Sequence, residues 1–202
     1  MKRLIAGVVL GLGLVTMAHA AGDPEAGEQK AAVCAACHGQ GGANPVMGVY
    51  PKLSGLGEKY LYRQLTLIQS GERQIAEMTG ILDNMSDQDL QDLAAYFDSQ
   101  EMVVSQANPD LIERGEALYR GGNMASGVPS CAGCHSPRGD GNEPAGYPMI
   151  GGQSAEYVAK QLKAYRSGER DSGNNASIMI DVASKLTDDE IEALANYVSG
   201  LH

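Results

Sequence analysis

Tryptophan is absent, phenylalanine occurs once, and aromatic residues together make up only 5% of 202 residues. Aromatic side chains ordinarily dominate core energetics, so something else must fill this core. Basic residues are scarce as well: 15 Lys and Arg stand against 25 Asp and Glu, a formal charge of −10. That balance argues against nucleic-acid binding, which needs a basic stripe to displace counterions. No apolar run beyond Ala20 approaches the roughly 20 residues of a spanning helix. What is present is 43% hydrophobic and 20% charged, with 26 glycines in no three-residue period. Disordered and collagen-like chains are thereby excluded.

The first twenty residues follow secretory grammar. Lys2 and Arg3 precede an apolar run from Leu4 to Met17, and Ala18-His19-Ala20 forms a small-x-small cleavage site. The run is too short to anchor the chain and is weakened by Gly7, Gly11 and Gly13. Residues 1–20 are therefore expected to be a signal peptide. Cleavage after Ala20 would remove Lys2 and Arg3 and leave 13 basic against 25 acidic groups, net −12.

An internal repeat organises the remainder. Cys34-Ala35-Ala36-Cys37-His38 recurs as Cys131-Ala132-Gly133-Cys134-His135, an offset of 97. The same offset carries Pro51 to Pro148, Tyr60 to Tyr157, Gln64 to Gln161, and Ser70-Gly71-Glu72-Arg73 to Ser167-Gly168-Glu169-Arg170. After a four-residue insertion the offset becomes 101, carrying Met78 to Met179, Leu93 to Leu194 and Tyr96 to Tyr197. This predicts two copies of one domain, over 21–108 and 109–202.

Each copy reads as helical. Asp23-Pro24 and Asn108-Pro109 place an N-cap before Pro at the first helical position. A middle helix carries Tyr60, Leu61, Gln64, Leu65 and Ile68, or Tyr157, Val158, Gln161, Leu162 and Tyr165, read as one apolar stripe. The last helix opens on Ser86 with Asp89, or Thr187 with Glu190; the glutamate is expected to close the better capping box. Gly27 and Gly115 would let the final helices cross closely at Tyr96 and Tyr197. The glycine-rich stretches Gly39–Gly57 and Gly139–Gly152 fit neither helix nor strand.

Four cysteines in an exported chain first suggest two disulfides. A pair separated by two residues, however, closes too short a loop to constrain the unfolded chain usefully. A dithiol redox pair explains neither the following histidine nor the repetition. A shared zinc site would need units closer than Cys37 and Cys131. C-x-x-C-H is instead the attachment signature of c-type haem. Cys34, Cys37, Cys131 and Cys134 are thus expected to form thioethers, with His38 and His135 on the irons. Met78 and Met179 are the only methionines that obey the repeat and become the distal ligands. Met85 faces Leu186 across the repeat and reads as core filling. Pro51 and Pro148 follow their histidines at the same distance along the chain. Their carbonyls are the expected acceptors for the second ring nitrogen, with Leu53 and Ile150 packing on the porphyrin.

With these motifs in order, each half resembles a class I cytochrome c, and two such halves resemble the dihaem cytochromes c4 of bacterial respiratory chains. The likeness covers residues 21–202. It implies an all-α fold of two tandem cytochrome c-like domains, each wrapped around one covalently attached haem c. It further implies a periplasmic electron carrier, in some members associated with the membrane surface. Such a carrier takes electrons from a quinol-oxidising complex or dehydrogenase and passes them toward a terminal oxidase. The rival is a dihaem peroxidase or a gas sensor, either of which needs an open iron position. The second copy departs by about nine extra residues, Gly121–Pro129, between its first helix and Cys131. If haem replaces aromatic residues in the core, the haem-free chain should be largely unfolded; circular dichroism of the apo-protein should show most helix signal lost.

Overall fold

The computed structural model describes residues 22–173 and 175–202; the expected signal peptide lies outside them. Helices α1 (Pro24–Lys30), α2 (Ala32–His38), α3 (Glu58–Gln69) and α4 (Asp87–Asp98) form the first half. Helices α5 (Pro109–Gly121), α6 (Ala132–His135), α7 (Ala155–Ser167), α8 (Ala176–Ala183) and α9 (Asp188–Ser199) form the second. No strand occurs among the described residues, only the isolated bridges Asn123↔Val128 and Asn142↔Tyr147. The described residues are all-α, in two halves of matching helix order, as expected.

The helix starts follow from their caps. The Asp23 carboxylate accepts from the amides of Glu25 and Ala26 at 3.0 and 3.2 Å, and Asn108 Oδ1 accepts from Asp110 N–H at 3.1 Å. Both final helices open on a closed capping box. The aspartate version is complete: Ser86 N–H donates to Asp89 at 2.7 Å, against 2.9 Å from Thr187 N–H to Glu190. The expected advantage of glutamate is therefore not seen.

In each half the first and last helices cross, and the middle helix packs on the last. Gly27 and Gly115 make the crossing possible. A Cβ on Gly27 would lie 2.1 Å from the Asp92 carbonyl oxygen, and one on Gly115 2.3 Å from that of Ala193. Lys30 adds an ion pair to the buried Asp92 at 2.8 Å, and Asp92 also accepts from Asp23 N–H at 2.9 Å. The cores collect on the final helices, with Leu90, Leu93, Ala94 and Phe97 buried in α4 and Ile191, Leu194, Ala195 and Val198 in α9.

The two halves differ where the repeat changes offset. In the first, the segment after the middle helix is a single 3-10 turn, Ala76–Met78; in the second it is α8. The extra loop of the second half is a small hairpin around Asn123 and Val128, and Asn123 Nδ2 donates to Glu190 at 2.9 Å, tying it to α9.

Two outcomes follow. Gly115→Ala should destabilise the protein by about 1–3 kcal/mol through overpacking, against the roughly 1 kcal/mol that alanine adds to an exposed helix; guanidinium unfolding would read the sign. Hydrogen bonds from Ser86, then Lys30, hold the Asp89 carboxyl down to about 2 from 3.8. The native carboxylate is favoured, so its stabilisation is present above about pH 3.8 and lost as pH falls through about 2. The stability difference between wild type and Asp89→Asn should shrink over that window.

Candidate functional site

Helical backbone places the two thiols of each C-x-x-C one turn apart, on α2 for Cys34 and Cys37 and at the start of α6 for Cys131 and Cys134. All four are half-buried free cysteines. Burial raises the Cys34 thiol and pushes Cys131 up to about 11, so both are protonated at neutral pH. Cys34 and Cys131 also pack against the core cluster of their own half, as do Leu53 and Leu65 in the first and Ile150 and Leu162 in the second.

The histidines close their helices and are buried, at 8% and 9% exposure. His38 Nδ1 bonds the Pro51 carbonyl at 2.8 Å, and His135 Nδ1 bonds that of Pro148 at 3.0 Å. Burial lowers both histidine pKa values, and the carbonyl bond opposes it without reversing it. The imidazoles are therefore neutral, with the proton on Nδ1 facing the carbonyl and the Nε2 lone pair left as a donor. Tyr50 and Tyr147 flank the rings with centroids 6.3 and 6.0 Å away. Leu53 and Ile150 are half-buried beside the two cores. A neutral buried imidazole, two adjacent thiols and half-covered apolar side chains form a donor set suited to a covalently held haem.

Met78 and Met179 lie on the segments between middle and final helices, one at the end of a 3-10 turn and the other within α8. Both are half-buried. Cysteine, histidine and proline are thus brought together in each half, while each methionine stands on a separate segment.

Periodicity gives one set of residues the wrong surroundings. Tyr60 packs against the core of its own half as the stripe predicts, but its hydroxyl, together with Gln64, Tyr157 and Gln161, faces the other half. Arg73 donates to Gln64 at 2.7 Å and across to Tyr157 and Gln161 at 3.2 and 3.3 Å. Arg170 donates to Gln161 at 2.7 Å and across to Tyr60 and Gln64 at 3.0 and 3.3 Å. The lattice is two-fold symmetric, and both arginines are buried. Its signal was the repeat itself, which keeps the same polar side chains at the same offset in both copies.

Comparison with known proteins agrees with this architecture. A family model described as cytochrome c matches residues 112–202, and one described as cbb3-type cytochrome c oxidase subunit III matches residues 23–97. The chain is 52% identical over 202 residues to a cytochrome c4 of Pseudomonas aeruginosa, covering 100% of both chains. It is 35% identical over 205 residues to a thiosulfate dehydrogenase electron acceptor of Thiomonas intermedia, covering 98% of this chain and 91% of that one. The crystal structure of reduced recombinant cytochrome c4 from Pseudomonas stutzeri superimposes with a TM-score of 0.86 at 50% identity, covering 90% of this chain and 100% of that one.

The residue after each C-x-x-C-H motif adopts the same backbone, Gly39 at φ 77°, ψ 170° and Ser136 at φ 70°, ψ 160°. Only glycine does this without strain. Ser136 is held there by Tyr119 Oη–H donating to its carbonyl at 2.7 Å and by Asp140 N–H donating to its hydroxyl at 2.9 Å. Ser136→Gly should therefore stabilise the second half by about 1 kcal/mol, the relieved strain exceeding the lost hydroxyl bond; a raised midpoint in guanidinium unfolding would show it.

Proposed function

The chain belongs to the dihaem cytochrome c4 family, and from that membership we propose that Cys34, Cys37, His38 and Met78 hold one covalent haem c and Cys131, Cys134, His135 and Met179 the other. The protein is an electron-transfer protein and not an enzyme. When bound, each haem supplies a one-electron ferric–ferrous couple. The Pro51 and Pro148 carbonyls fix the tautomer and ring plane of the two histidines and raise their basicity. The Met78 and Met179 thioethers would be the second protein ligands of the two haems, a ligand type that favours a high potential and would leave no place for a substrate. The single observation that carries this reading is the pair of buried neutral histidines bonded to proline carbonyls at 2.8 and 3.0 Å in both halves.

The place of the reaction belongs to the same reading. Residues 1–20 are the export signal, the mature domains run over 21–108 and 109–202, and the protein works in the periplasm. No helix among the described residues is long and apolar enough to cross a membrane, and the membrane association we propose is peripheral. Electrons arrive from a quinol-oxidising complex or a dehydrogenase and leave toward a terminal oxidase of a bacterial respiratory chain. A relative that serves as the electron acceptor of thiosulfate dehydrogenase supports the dehydrogenase side. Nucleic acid has no role, since residues 21–108 carry a net −7 and residues 109–202 a net −5. That charge suits a basic docking face on the partner.

Met78→His and Met179→His should each lower one of two reduction potentials and keep both haems low-spin. Potentiometric titration reads this, and two unmoved potentials would refute the ligand assignment. Association with a basic redox partner should slow as ionic strength rises; a stopped-flow rate insensitive to salt would remove the steering.

A further inference from the structure

The peptide unit between Pro51 and Lys52 is bonded at both ends. Its carbonyl accepts from His38 Nδ1–H at 2.8 Å, and its N–H donates to Gln153 Oε1 at 2.8 Å. Gln153 belongs to the other half, immediately before Ser154, the residue that opens α7. Its side-chain amide completes a two-point clamp, with Nε2 donating to the Lys52 carbonyl at 2.9 Å. Gln153 is itself immobilised. It is 3% exposed, and its Oε1 also accepts from Ser154 N–H at 3.0 Å. The Lys52 ammonium, buried at 4% exposure, donates to the neighbouring Gly152 carbonyl at 2.7 Å, to Ser105 Oγ at 3.0 Å and to the Val103 carbonyl.

From these contacts we infer that Gln153 is a positioning residue through which the second domain tunes the proximal histidine of the first. An amide whose N–H is hydrogen-bonded is more polarised, and its carbonyl becomes a stronger acceptor. The Pro51 carbonyl therefore draws harder on the His38 Nδ1 proton, and the imidazole becomes a stronger donor through Nε2. A stronger donor favours the oxidised iron and lowers the potential of that site. The relay is one-sided. The first-half residue corresponding to Gln153 is Leu56, which has no amide to offer to the peptide after Pro148, and the residue corresponding to Lys52 is Met149. One iron thus reports on the docking of the other domain, and its counterpart does not. The inference rests on His38 being an axial ligand.

The test uses the holoprotein with both haems attached. Gln153→Leu, which copies Leu56, and Gln153→Met, unbranched and of matched length, are compared with wild type by potentiometric titration and by proton–nitrogen NMR of the histidine rings. The expected result is that one of the two Nernst waves moves to higher potential. The His38 Nδ1–H resonance of the reduced protein should move with it, while the other wave and the His135 resonance stay in place. Two unmoved waves, or two waves moving together, would overturn the relay, the second because it marks a general loosening between domains. The ligand assignment is checked separately in oxidised wild type, where the His38 ring protons must be shifted by the iron. If they are not, the ligand assignment fails; if they are and the variants leave the waves in place, only the relay fails.

Discussion

A buried imidazole must have each nitrogen provided for, and the rest of this molecule is arranged around that requirement. Leaving a polar nitrogen unbonded inside a protein costs about 1–3 kcal/mol. Here His38 and His135 give Nδ1–H to a proline carbonyl. Proline suits that acceptor because its ring locks one backbone dihedral and limits how the loop can move. The loop is held in turn on the final helix, where Gly55 N–H donates to the Phe97 carbonyl at 2.9 Å and Gly152 N–H to that of Val198 at 2.9 Å. The final helix is fixed by its crossing at Gly27 or Gly115. The orientation of each histidine is therefore carried back, bond by bond, to the glycine crossing of the first and last helices of its domain.

The two domains meet through polar groups that answer the terminal nitrogens of both arginines, while Arg170 Nε is buried without a partner. Buried arginines are destabilising unless their donors are answered. Arg73 and Arg170 each find one glutamine in their own half, and a tyrosine and a glutamine in the other. Every glutamine oxygen in the lattice serves both arginines. Arg170 is further supported by the Tyr165 ring, 4.6 Å from its guanidinium carbon. Breaking any one member would strand several others, so the interface behaves as a unit and sets one relative placement of the halves.

Much of the site was legible because the sequence states it twice. C-x-x-C-H, the proline at a fixed distance beyond it, and the capping residues of the last helix are local patterns, and repetition separates each from chance. What periodicity could not supply was destination. Tyr60 and Gln64 lie on a helical face with Leu61 and Leu65, and nothing in the helical period distinguishes a face covered by core from one covered by a second domain. The segment holding Met179 was also opaque: the four added residues fall before α8, every residue of which has a counterpart in the first half, and the first half's run is interrupted at Gly80, which sits at φ 81° where α8 has Asp181. Lys52 and Gln153 escaped for the opposite reason. They have no equivalent in the other copy, and a reading guided by the repeat passes over whatever is not repeated.

Those unrepeated residues bear on direction. Two domains with equal surroundings would hold an electron equally well, and a symmetric lattice alone gives no preference between them. The proposed ligand sets are the same in both halves, so a difference must arise in what surrounds them. Near the histidines and their prolines the halves differ in three pairs: Lys52 against Met149, Gln153 against Leu56, and Gly39 against the strained Ser136. Lys52, Met149, Gly39 and Ser136 each adjoin a histidine or its proline, and Gln153 bonds directly to the peptide units flanking Lys52. Duplication thus supplies two like sites and a self-complementary interface. A few substitutions beside the histidines then make the sites unequal without disturbing the packing that holds them.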